Sequence, residues 1–179
     1  MNKYFFIVTA FIALNGCVNS NTTQEKINTK QELNREINQL GDTTNIKKWL
    51  SKIISDYVNN EDSKVADKNL KEVLTADYYE YKIDAITLEY SEMTKEEFHK
   101  KWKSKYDTRF VGNGGFFTSV MDNGNVEVAK CNLLKIYGDT AKIFYTVVHD
   151  LRWNKDYKFD IKTISKDNKI LIDDVQEHK

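Results

Sequence analysis

The side chains of this 179-residue chain that could move a proton or hold a polar ligand as a set are Asn132, Tyr145, His149 and Asp174. Tight turns at Gly138-Asp139 and Asp167-Asn168, with apolar matched to apolar in the hairpin between them, set Asn132 opposite Tyr145, Tyr145 opposite Ile161 and Ile161 opposite Asp174. By the same register Leu134, Ile143, Thr163 and Ile172 form the next row of one inner face, and His149 joins that face by alternation from Tyr145 and Val147. A carboxylic acid, a phenol and an imidazole on a concave apolar wall could support proton transfer or orient a small ligand. The blander alternative leaves Asp174 solvated near the sheet end, Tyr145 in the core with its hydroxyl satisfied and His149 at a strand end. Asp173 and Asp174 cannot form a dyad, because neighbours in a strand point to opposite faces. The expectation is Asp174 inside and Asp173 outside.

Other chemistry is poorly supplied. His99, His149 and His178 show no ligand spacing with one another or with Cys131, so neither a metal site nor another cofactor is expected. Cys131 has no histidine or helix start nearby to activate its thiol and reads as inert. The segment from Val111 to Phe117 is rich in glycine but lacks the lysine and hydroxyl residue of a phosphate loop. Its glycines let the chain turn into the sheet, and Phe116 and Phe117 plug the interior or line its mouth. Arg152, Trp153 and Tyr157, with Lys155, gather at the middle hairpin, a mixture typical of protein contacts if the tryptophan is exposed.

These residues need elements to position them. Ile46, Trp49, Leu50, Ile53, Ile54 and Tyr57 repeat at three and four, predicting a helix over residues 42–60. A short helix is expected over 68–74, a third with a face of Tyr79, Ile83, Ile86 and Tyr90, and a fourth opened by the capping pair Thr94 and Glu97 and buried through Phe98, Trp102 and Tyr106. From Val126 the apolar period becomes two, predicting strands over 126–137, 140–150, 156–165 and 169–175. The parities of Val126, Val128, Leu133 and Leu134 disagree, which predicts a bulge in the first strand. Turns this short force antiparallel neighbours, so the fold class is α+β: N-terminal helices packed on a curved four-stranded antiparallel meander.

The chain opens with Lys3, an apolar run from Tyr4 to Leu14, and Leu14-Asn15-Gly16-Cys17. The run is too short to span a bilayer and is followed by polar residues. It resembles a bacterial lipoprotein signal, although Asn15 stands where that pattern prefers a small or apolar residue. The resemblance implies cleavage after residue 16, three acyl chains on Cys17, and a place in the cell envelope on the periplasmic side of the outer membrane. Residues 1–16 are then a signal peptide, 17–42 a lipidated cysteine and solvated tether with a short helix near its end, and 43–179 a single α+β domain. Cleavage removes one of 27 basic residues and none of 27 acidic ones, leaving a net charge near −1 that offers nothing to nucleic acid. With Cys17 acylated, Cys131 has no intrachain partner and stability must come from packing.

The order of elements, with the helix around Trp49 and Tyr57, the long hairpin and the closing run from Lys169 to Val175, also resembles the nuclear-transport-factor-two-like superfamily, a cone of helices closed by a bent sheet. That superfamily hosts enzymes, ligand binders and partner-binding modules, so the resemblance assigns no chemistry. Two functions follow as expectations. The first is an envelope lipoprotein, held by its lipid, with a noncatalytic domain that binds a protein or small ligand, including an immunity-type role against a toxin arriving in the periplasm. The second is a small enzyme using Asp174, Tyr145 and His149.

Overall fold

The computed structural model describes residues 43–109, 116–117, 125–167 and 169–178. The expected signal peptide, Cys17, the tether and its short helix, the glycines at 112, 114 and 115, and Asn168 lie outside the described residues. The fold class is α+β, with four helices, a short 3-10 turn and a four-stranded antiparallel sheet in the order β1-β2-β3-β4 among the described residues.

Residues 43–58 form α1. Its fully buried positions are Ile46, Leu50 and Ile54, spaced four apart along one stripe, with Trp49, Ile53 and Tyr57 half-buried at the flanks. The helix is tied to the sheet just past its end: the Asn59 side chain donates to the Val126 carbonyl (2.9 Å) and accepts from the Val126 amide (2.7 Å). The second helix, α2 (Ser63–Val73), starts five residues earlier than its apolar positions suggest, because Asp62 caps it by accepting from the amides of Lys64 and Val65. Next, α3 (Ala76–Thr87) is capped by Thr75 and buries Tyr78, Tyr81 and Ala85, with Leu88 following in the 3-10 turn Leu88–Tyr90. The expected face of Tyr79, Ile83, Ile86 and Tyr90 is therefore displaced by one to two residues, and Tyr90 is 89% exposed. The last helix, α4 (Lys95–Trp102), opens with the expected reciprocal capping box of Thr94 and Glu97 and buries Phe98 and Trp102, with Tyr106 beyond its end.

The strands are β1 (Val126–Tyr137), β2 (Ala141–Asp150), β3 (Lys155–Lys166) and β4 (Lys169–His178). One face carries Phe144, Val148, Tyr157, Phe159, Ile161 and Ile172 into a core shared with Ile46, Leu50, Tyr78, Phe98, Trp102, Phe116 and Phe117. The register differs from expectation at each hairpin. The first loop is three residues, Gly138 to Thr140, with Gly138 at φ +57, a conformation a side chain disfavours. Ile143 then pairs with Lys135, and Leu134 is an unpaired bulge residue, 59% exposed. This bulge cancels the longer loop, so Asn132 does pair with Tyr145. A second irregularity at Ala129 moves Cys131 and Leu133 onto the core side.

The middle hairpin is shifted by one residue. Its turn runs from Leu151 to Asn154, with the buried Asp150 carboxylate accepting from the amides of Arg152 (2.8 Å) and Trp153 (3.0 Å) and Asn154 at φ 49. Tyr145 thus faces Asp160 instead of Ile161, and Ile161 pairs with Phe144. In the third hairpin Thr163 pairs with Ile172 as expected, but Asp173 is an extra residue, so Ile161 meets Val175 and Asp174 meets Lys162.

Because Leu50 is fully buried and Trp49 is not, we expect Leu50→Ala to cost about 2–5 kcal/mol and Trp49→Ala clearly less. Denaturant melts of the two variants check this, and a larger loss for Trp49→Ala would place the stripe on the wrong side of α1.

Candidate functional site

The bulge in β4 and the start of α3 build a polar junction. Thr75, the cap of α3, donates its backbone amide to the Ile172 carbonyl (2.9 Å), and Leu74 bridges Ile172 in parallel, so the helix begins against the free edge of β4. The Thr75 hydroxyl accepts from the Tyr78 amide (3.2 Å) and donates to Asp173 Oδ1 (3.1 Å), while Lys162 Nζ lies 2.7 Å from Asp173 Oδ2. One carboxylate therefore pins the helix start, the bulge and β3 together.

The neighbouring carboxylate is less well served. Asp174 accepts from Gln176 Nε2 (2.8 Å), yet burial pushes its pKa up to about 6, with the Asp173 charge adding to the rise. The Gln176 side chain, the Val175 amide and Lys162 pull the other way and do not restore the ordinary value. On α3, Tyr78, Tyr81 and Lys82 each feel the Asp174 charge. Tyr78 is fully buried, and burial raises its pKa well above the phenol value, opposed by a hydrogen bond with the Val175 backbone. Burial also lowers the pKa of Lys82, against the opposing pull of Asp174 and Glu177. Tyr81 is better satisfied, donating to the Asp107 carbonyl (2.7 Å), with its pKa raised to about 12, mainly by burial.

The four residues expected to form one inner site are not assembled there. Asn132, Tyr145, Asp160 and Gln176 do form a row, but the residues beside them in sequence, Phe144, Ile161 and Val175, are the ones aligned across the core side. The one-residue shift of the middle hairpin and the Asp173 bulge account for this reversal. Within the row Lys130 lies over the Tyr145 ring at 5.6 Å, the Tyr145 and His178 rings meet edge to face, and His178 Nε2 is 3.0 Å from Asp160. His149 pairs with Asp156 through Nδ1 at 2.8 Å. Asp156 and Lys162, the strand partners of His149 and Asp174, are six residues apart on β3, roughly 20 Å, so imidazole and carboxyl do not act on one substrate atom.

Of the expected contact residues, Trp153 is 54% exposed with the Arg152 guanidinium 5.0 Å over its ring, whereas Tyr157 is only 3% exposed because it faces the core opposite Val148. Phe116 and Phe117 are buried against Tyr57, and Phe116 also meets Tyr78 and stacks on Tyr79, the plugging arrangement. Cys131 is half-buried 3.7 Å from the Thr146 hydroxyl, and burial raises its pKa, as an inert thiol requires. Among the described residues no group of three or more histidine, cysteine or acidic side chains is placed to hold a metal, and no helix is long and apolar enough to cross a membrane.

Tyr78, Lys82, Thr75 and Lys162 are absent from the residues singled out in the sequence. The available signal was the cap: Thr75 fixes where α3 starts, and Tyr78, Tyr81, Ala85 and Leu88 then repeat at three and four. The chain matches no known protein family, no curated protein and no solved structure.

Since its folded pKa is raised, Asp174 binds its proton more tightly in the folded state. Its contribution is greatest below about pH 4 and is lost as pH rises through 6. Asp174→Asn should therefore stabilise the protein by about 2 kcal/mol at pH 7.5 and hardly at all at pH 4. Urea melts at the two pH values decide it, and an equal effect at both would place the carboxyl in water.

Proposed function

We propose that the protein is a lipoprotein of the bacterial cell envelope, anchored through Cys17, whose α+β domain is a noncatalytic binder of a protein partner. Leu14-Asn15-Gly16-Cys17 at the end of the apolar run that starts at Tyr4 supports the anchor. The observation that carries the noncatalytic reading is the filled interior: Tyr57, Tyr78, Tyr81, Phe98, Trp102, Tyr106, Phe116 and Phe117 lie in successive ring contact, from Tyr57 against both phenylalanines to Tyr81 stacked on Tyr106 at 4.5 Å. Side chains packed ring against ring in this way support a core rather than a substrate cavity at this place among the described residues. The acid, phenol and imidazole that an enzyme would use are also spread along the sheet.

The contact surface in this reading is the β2–β3 turn. Asp150 fixes the turn backbone through two amides, presenting Leu151, Arg152 and Trp153 on a preorganised support. A protein partner suits a tryptophan stacked with arginine at an exposed tip, since both are side chains on which interfaces concentrate binding energy.

Two measurements test this. Cys17→Ser should move the protein from the detergent to the aqueous phase on fractionation, and retention in the membrane fraction would remove the anchor. A photoreactive residue at position 153 should give one discrete protein adduct in intact cells, while the same residue at Lys68 on exposed α2 should not. Equal labelling from both positions would remove the turn as the contact.

A further inference from the structure

A cavity of about 420 Å³ is lined by the 3-10 turn Leu88–Tyr90, the start of α4 and the chain that follows α4. Its floor is apolar: Leu88 and Phe98 belong to the buried core, and the half-buried Met93 adds a flexible thioether that adapts to varied shapes. Its walls are held by local hydrogen bonds. Before α4, the Ser91 hydroxyl donates to the Leu88 carbonyl (3.4 Å) and accepts from the Met93 amide (3.3 Å), and the reciprocal cap of Thr94 and Glu97 fixes the helix start. After α4, Asp107 Oδ1 accepts from the Arg109 amide (3.1 Å) and from Arg109 Nε (2.9 Å), while Tyr81 donates to the Asp107 carbonyl (2.7 Å) and ties that wall to the core.

The polar groups of the lining are mainly donors. Lys95 stands at the first position of α4, Arg109 comes from the chain after it, and His99 Nδ1 lies 2.6 Å from the Thr108 hydroxyl. Glu89 is the one carboxylate that lines the cavity among the described residues. An apolar floor with a few polar groups, in a volume within the roughly 300–1,000 Å³ of small-molecule sites, is the general form of a ligand pocket. We propose that this cavity binds a small apolar monocarboxylate, its hydrocarbon or aromatic tail on Leu88, Met93 and Phe98 and its acid group at Lys95 and Arg109.

The two cations contribute differently. Asp107 holds the Arg109 guanidinium in place, so a ligand need not order it, but the same ion pair offsets much of its charge. Lys95 is therefore the principal counter-ion. A carboxylate is favoured over an amine of the same shape because the lining sets two permanent cations against Glu89 alone. The cavity shares no residue with the β2–β3 turn, so ligand binding here and protein contact there stand or fall separately.

Amide chemical shifts of the full chain titrated with hydrocinnamate test the site. Saturable changes should centre on Leu88, Met93, His99 and Thr108, and Lys95→Glu should weaken the affinity about tenfold. That variant keeps its fold, since an acidic residue in the first turn suits the helix dipole. Phenylpropylamine carries the tail without the acid and acetate the acid without the tail, and each should bind at least about tenfold more weakly than hydrocinnamate. The proposal is overturned by the absence of saturable changes, by changes centred elsewhere, by either control binding as well as hydrocinnamate, or by an unchanged affinity in Lys95→Glu. If Lys95→Glu disturbs the spectrum throughout, Lys95→Met, which keeps the apolar stem, takes its place with the same expected loss.

Discussion

A strand can present only every second residue to one face, and the whole fold depends on how this chain meets that constraint. Its sheet must offer a continuous apolar surface to four helices, yet the apolar residues of β1 and β4 do not keep one parity along their length. Extra residues at Ala129, Leu134 and Asp173 resolve the conflict by resetting the alternation. After the resets at Ala129 and Asp173 the side chains that pack on the core, Cys131 and Leu133, then Val175 beside Ile161, come back to the correct side. Slipping a whole strand by one residue would turn its entire apolar set outward, a far larger loss than leaving one residue unpaired.

The Asp173 reset also creates the polar junction. It places two carboxylates in sequence at the edge against which α3 begins, and it divides their roles: Asp173 receives a hydroxyl and an ammonium, Asp174 an amide side chain and partial burial. Burial without matching partners sacrifices stability, and sites where a chain does this are disproportionately sites it uses.

What could be read from the sequence was what is local. The four strands, the reciprocal cap of Thr94 and Glu97, the buried stripe of Ile46, Leu50 and Ile54, and the α+β class all follow from period and turn chemistry within ten or so residues. What failed was whatever accumulates along the chain. The Asn132–Tyr145 pair came out right because a longer loop and a bulge cancel, while the middle hairpin, aligned by matching apolar residues, missed because Asp150 builds a four-residue turn through its own side chain. Asp174 came to lie opposite Lys162 because of the extra residue Asp173, and Tyr157 faces the core opposite Val148. The partners of Asp174 on α3 were beyond reach for another reason: no local pattern says which helix will lie along the edge of β4.

The Asn59 amide has a consequence for how the molecule assembles. It grips both backbone atoms of Val126, closing a loop of 67 residues with two hydrogen bonds. The three hairpins are local in sequence and need little chain entropy to form, whereas this closure gathers α2, α3 and α4 inside one long loop and is the expensive step. A ribbon of strands can thus stand ready before the helices arrive, its apolar face uncovered until α1 comes down on it. The interval between those two events is when the chain is most exposed to association with its own kind, and the bulges at Ala129 and Leu134, on the outermost strand, shorten the straight stretch of β1 that another ribbon could pair with.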